Sequence, residues 1–75
     1  MTNIDNKPRL NKENLAKNLR KLRYENNETY EKFAERIGVS SRLIYDYESG
    51  IKRPGLDTLI RIASEFHVSL DSLLL

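Results

Sequence analysis

The stretch from Tyr30 to Tyr47, YEKFAERIGVSSRLIYDY, leaves little freedom in how this chain can fold. Apolar residues recur at helical spacing on either side of a break: Phe33, Ala34 and Ile37 before Gly38, then Ile44 and Tyr47 after it. That period predicts two short amphipathic helices. Gly38 suits a left-handed turn, Val39 plugs the corner, and Ser40 offers a hydroxyl to cap the second helix. Ala34 is expected to be small because Ile44 packs against it, and a longer side chain there would push the helices apart. Two helices crossing closely at a tight corner form a helix-turn-helix pattern, which turns Ser41, Arg42, Tyr45, Asp46 and Ser49 outward.

The flanking sequence extends the helical reading. Asn11 can cap a first helix running to about Glu25, with Leu15, Leu19 and Leu22 on its inner face and Lys17, Arg20, Lys21 and Arg23 largely outside. Thr29 caps the next helix, Tyr30 to Ile37. The third runs from Ser41 to about Ser49, closed by a left-handed Gly50, and Pro54 with Gly55 marks the following loop. A fourth helix over about Leu56 to Phe66 is expected to bury Leu59, Ile60, Ala63 and Phe66. Ser69 then caps a short fifth carrying Leu70, Leu73 and Leu74. No segment alternates with a period of two, so strands are not expected. The fold class is therefore all-α, a compact five-helix bundle over residues 11–75. Residues 1–10, with Lys7 and Arg9, read as a flexible arm that either reaches a nucleic acid or is a loose terminus that touches nothing.

Seventy-five residues with 39% hydrophobic content make one small domain with no room for a second. The absence of cysteine removes any disulfide framework or thiolate metal site and suits a reducing compartment. No apolar run approaches the roughly 18 to 20 residues of a membrane span, and the polar start MTNIDNKPRL lacks a signal-like core. A soluble, cytoplasmic chain is expected. Net charge is only +2, but residues 1–23 hold seven Lys or Arg against two acids, net +5, while residues 24–75 hold six against nine, net −3. Such an asymmetry can face phosphate or merely solvate a helix.

From about Leu15 to Leu73, four-fifths of the chain, the sequence resembles the helix-turn-helix family of phage repressors and Cro proteins, the XRE family. The resemblance rests on IGVS, the inner Ile44, the string YESG and the following KRP, all at the family's spacing. It implies a lambda-repressor-like bundle that regulates transcription by placing its third helix in the major groove of double-stranded DNA. Carried over, Ser40, Ser41 and Arg42 would approach base edges or nearby phosphates. Tyr45 and Asp46 would face the groove or its rim, and Ser49, Lys52 and Arg53 would meet the backbone. Arg42 is the first choice for base readout, since its guanidinium fork matches guanine O6 and N7. Where the family often has Gln at the start of the second and third helices, this chain has Tyr30 and Ser41. The Tyr30 hydroxyl can still donate to phosphate. A carboxylate at Asp46 is repelled by phosphates unless it accepts from cytosine N4 or pairs with Arg42 one turn earlier.

Other residues read as structural. For Glu48 the resemblance implies a reach to a basic or backbone group near the first helices, and Tyr47, on the stripe with Ile44, belongs to the core. Arg20 and Arg23 either contact phosphate or solubilise their helix. Glu28, Glu31 and Glu35 are spaced like a solvated helix face. His67, the single histidine, falls at a helix end, and with no glycine-rich phosphate loop and no metal-ligand spacing there is no catalytic, metal or cofactor constellation. A rival reading is a protein-interaction module such as an antitoxin or anti-repressor, because one fold hosts many functions. The apolar ending Leu73 to Leu75 suggests a homodimer, or a C-terminal sensor or oligomerisation domain that is missing here.

Overall fold

The computed structural model describes residues 12–75. The expected arm with Lys7 and Arg9, and the Asn11 cap, lie outside the described residues. Five helices follow in order: α1 (Lys12–Glu25), α2 (Tyr30–Ile37), α3 (Ser41–Glu48), α4 (Leu56–Phe66) and α5 (Leu70–Leu74). Among the described residues there is no strand, and no helix is long and apolar enough to cross a membrane.

Helix boundaries are set by local chemistry. Thr29, Ser40 and Ser69 each accept a hydrogen bond from the backbone N–H three residues on, at 3.1 Å, satisfying a donor that the helix itself leaves free. Gly38 closes α2 at φ 84°, and both its N–H and that of Val39 donate to the Ala34 carbonyl. Gly50 ends α3 at φ 78°, with its N–H on Tyr47 and the Ile51 N–H on the Asp46 carbonyl at 2.9 Å, the paired bonds of a Schellman closure. His67 does the same work for α4 at φ 57° without being glycine.

The helices enclose one core to which all five contribute. Leu19, Phe33, Ile37, Ile44, Ile62 and Leu73 are wholly buried, and Phe33 of α2 stacks on Phe66 of α4 with ring centroids 4.9 Å apart. Ala34 and Ile44 lie in this same cluster, as the crossing of α2 and α3 requires. Asn18 of α1 donates to the Leu73 carbonyl at 2.9 Å and ties α5 back to the start of the fold. Arg61 of α4 donates to the Ile37 carbonyl at 2.9 Å, binding α4 to the corner between α2 and α3.

Three burial expectations are corrected. Ile60 is exposed and Ile62 takes its place, because the inner stripe of α4 runs through Leu59, Ile62, Ala63 and Phe66 and Ile60 falls to one side of it. Arg23 is buried, not outside: it sits one turn after Leu19 on the inner face of α1, where a carboxylate receives it. Glu28 is not part of a solvated face; its carboxylate is buried and ion-pairs with Arg36, whereas Glu31 and Glu35 are exposed as expected. The terminal leucines grade outward, Leu73 buried, Leu74 half-buried and Leu75 exposed.

Candidate nucleic-acid interface

The surface of interest is the outer side of α3 with the segments that border it. Ser40, Arg42, Tyr45 and Ser49 are exposed and Ser41 is half-buried, while Ile44 and Tyr47 anchor the opposite side in the core. The outward face is therefore rich in hydroxyl groups around a single guanidinium, with Tyr45 its one exposed aromatic side chain. Tyr30, at the first position of α2, meets Tyr45 edge to face with ring centroids 6.1 Å apart. Arg20 of α1 donates to the Glu48 carbonyl at 2.8 Å, so its guanidinium borders the end of α3. Lys52 and Arg53, both exposed, continue the cationic edge into the loop before α4. The structure thus joins Tyr30, Arg20 and the α3 face into one surface with Lys52 and Arg53 at its border.

Asp46 departs from the expected arrangement. It was expected to face outward, yet its side chain is only 7% exposed. Oδ1 accepts from Arg42 Nε at 3.2 Å, the i, i+4 pairing anticipated from the spacing, and Oδ2 lies 3.9 Å from Lys52 Nζ. The carboxylate is drawn in by two cations of its own chain and does not stand free in front of the helix. Arg42, 77% exposed, reaches outward past it with its guanidinium 5.4 Å from the Tyr45 ring centroid.

Behind this face lies a buried polar lock. Arg23 donates from Nε and Nη2 to both oxygens of Glu48 at 2.7 and 3.0 Å and from Nη1 to the Glu28 carbonyl at 3.0 Å. Its guanidinium also rests 4.3 Å from the Tyr30 ring centroid. Donating to the Glu48 carboxylate raises the Arg23 pKa against the opposing effect of burial. Glu48 thus takes the structural role expected of it, and Arg23 proves to be its partner rather than a phosphate ligand. The clue available in the sequence was the four-residue step from Leu19 to Arg23, which puts the arginine on the apolar face. Burial also raises the Tyr47 pKa, partly offset by a hydrogen bond with Thr58.

Comparison with known proteins places this geometry in context. Residues 19–73 match the helix-turn-helix family HTH_3. The chain is 39% identical over 56 residues to the HTH-type transcriptional regulator YobD of Bacillus subtilis, across 75% of this chain and 50% of that protein. It superposes on a transcriptional regulator from Listeria innocua with a TM-score of 0.75 at 37% identity, covering 80% of this chain and 56% of the other. The restriction-modification controller protein C.AhdI from Aeromonas hydrophila gives a TM-score of 0.77 at 19% identity, covering 84% and 96%, a likeness of fold. The chain spans about half the length of the first two relatives.

Proposed function

The chain belongs to the HTH_3 helix-turn-helix family, and from that premise we propose that it is a sequence-specific DNA-binding transcriptional regulator with α3 in the major groove. The observation that carries this reading is the outer face of α3, lined by the hydroxyl groups of Ser40, Ser41, Tyr45 and Ser49 around one exposed arginine and bordered by Lys52 and Arg53. A helix built to dock another protein would expose Leu, Phe or Met there; Leu43, the one aliphatic residue that could do so, is half-buried against the core, and the exposed Tyr45 carries a hydroxyl that can also meet phosphate or base.

In this arrangement Arg42 reads a base edge, with Ser40, Ser41 and Tyr45 beside it. Ser49, Lys52, Arg53, Arg20 and the Tyr30 hydroxyl meet the phosphate backbone and fix the register. Such contacts supply much of the affinity and make it depend on salt. The role is one of binding in the cytoplasm, not catalysis. Two chains related by a twofold axis would read an inverted repeat with half-sites about one helical turn, roughly 10 bp, or a multiple of it apart.

Selection of bound duplexes from a random DNA pool at near-physiological salt tests this directly. Enrichment of an inverted repeat is the expected result and gives the half-site spacing. Recovery of no motif by a folded protein would overturn the reading and leave protein interaction as the alternative.

A further inference from the structure

We infer that Asp46 is a positioning residue that holds Arg42 for base readout and neutralises itself in doing so. The inference rests on the reading of α3 as the helix that meets the bases, and deepens it. Its starting point is a contradiction: a carboxylate on the recognition helix repels phosphate, yet Asp46 lies in the middle of that helix.

The geometry resolves the contradiction in two steps. The chain after α3 folds back over residue 46, with the N–H groups of Ile51 and Lys52 donating to the Asp46 carbonyl at 2.9 and 3.2 Å. That turn brings the Lys52 ammonium to 3.9 Å from Oδ2, while Arg42 approaches Oδ1 from the preceding turn of the helix. One negative charge is thereby enclosed by two positive ones, so the cluster presents a net positive face to DNA.

The second step concerns which edge of Arg42 is used. Asp46 engages Nε at 3.2 Å, and the two terminal amino groups have no hydrogen-bond partner among the described residues. Those are the donors that fork onto guanine O6 and N7. A free arginine of this length must be ordered on binding, at about a two- to tenfold cost in affinity. Asp46 removes part of that cost in advance, and because it acts through Arg42, the gain falls on the base pair that Arg42 reads. Fold stability alone does not account for the arrangement, since an ion pair with a partner as exposed as Arg42 contributes little to it.

The test compares wild type, Asp46→Asn, Arg42→Ala and the double variant by fluorescence anisotropy. Each is measured on a selected duplex, on the same duplex changed at the base pair sensitive to Arg42→Ala, and on unrelated DNA. Removing one negative charge should tighten binding of Asp46→Asn to unrelated DNA, while its discrimination at the sensitive base pair falls by about two- to fivefold. In the Arg42→Ala background the same substitution should change discrimination no further. A simple repulsive carboxylate would predict tighter binding everywhere and unaltered discrimination, and that result overturns the proposal, as does an equal fall in both backgrounds. The Nε–H of Arg42 in the unaltered protein supplies a measurement independent of any variant's folding. Nuclear magnetic resonance should find it ordered beyond that of Arg53, and equal mobility of the two would count against Asp46. A wild type with no preference among duplexes defeats the reading of α3 itself, whereas one that discriminates through Arg42, with Asp46→Asn behaving identically, defeats only the role of Asp46.

Discussion

Arg42 and Arg53 are both exposed cations beside the outer face of α3, one in its first turn and one in the loop beyond its end. Arg42→Ala should cost about 1 to 3 kcal/mol of discrimination at one base pair per half-site. Arg53→Ala should weaken binding to all sequences alike and reduce the slope of log affinity against log salt by about 1. Titrations of matched and mismatched duplexes at several salt concentrations separate the two. His67 belongs to the same scale, because it holds a left-handed conformation that non-glycine residues adopt at a cost. His67→Gly should stabilise the fold by about 0.5 to 1 kcal/mol after the greater chain entropy of glycine is deducted, measurable by urea denaturation. The sequence showed that His67 ends a helix, and the Arg42–Asp46 spacing showed a possible pair. It did not show that Asp46 turns inward, because that depends on Lys52 returning over the helix end through a turn whose path is three-dimensional.

The helices were legible in the sequence wherever their limits are written by neighbours three or four residues away. Thr29, Ser40, Ser69 and Gly38 are such signals: α2 begins and ends where Thr29 and Gly38 placed it, while α4 follows its apolar stripe after the Pro54–Gly55 loop without a side-chain cap. Contacts between helices were not legible in the same way. Arg23 and Glu48 are 25 residues apart in the chain, and although the step from Leu19 puts the cation on the apolar face of α1, nothing local names the carboxylate that receives it. Glu48→Ala should therefore destabilise by about 3 to 5 kcal/mol, since it leaves Arg23 buried and unpaired. A fall in thermal midpoint of several degrees or more is expected, and a double replacement by Met at 23 and Leu at 48 should recover much of it. Ala34→Leu, at the crossing of α2 and α3, should cost about 1 to 3 kcal/mol through overpacking, and an unchanged midpoint would show that the crossing has room. Tyr47 links α3 to pH. Its folded pKa is raised, so the protonated form is favoured in the fold; stability is constant below the unfolded value near 10 and declines as pH rises through the folded one. Tyr47→Phe should remove that share of the alkaline loss, seen as a flatter stability curve above about pH 10 than the wild type gives.

At the scale of the molecule, two guanidinium groups fix the recognition unit to its support. Arg23 holds the end of α3 through both oxygens of Glu48, and Arg61 holds the end of α2 through the Ile37 carbonyl. A side-chain carbon on Gly38 would begin 2.8 Å from Arg61 Nη1, so that tip would have to move aside, and the φ of 84° at Gly38 is itself one that other residues adopt at a cost. The pair of helices is thus tied to the bundle behind it at the α2–α3 corner and at the far end of α3. On the reading proposed above, a head tied to its support in this way leaves the duplex to absorb much of any mismatch of curvature between two half-sites. DNA that bends easily between them, such as pyrimidine–purine steps, would then be bound in preference to stiff A-tracts. Base pairs that no side chain touches would thus carry part of the operator's information, recorded in their mechanics rather than in their hydrogen-bonding edges.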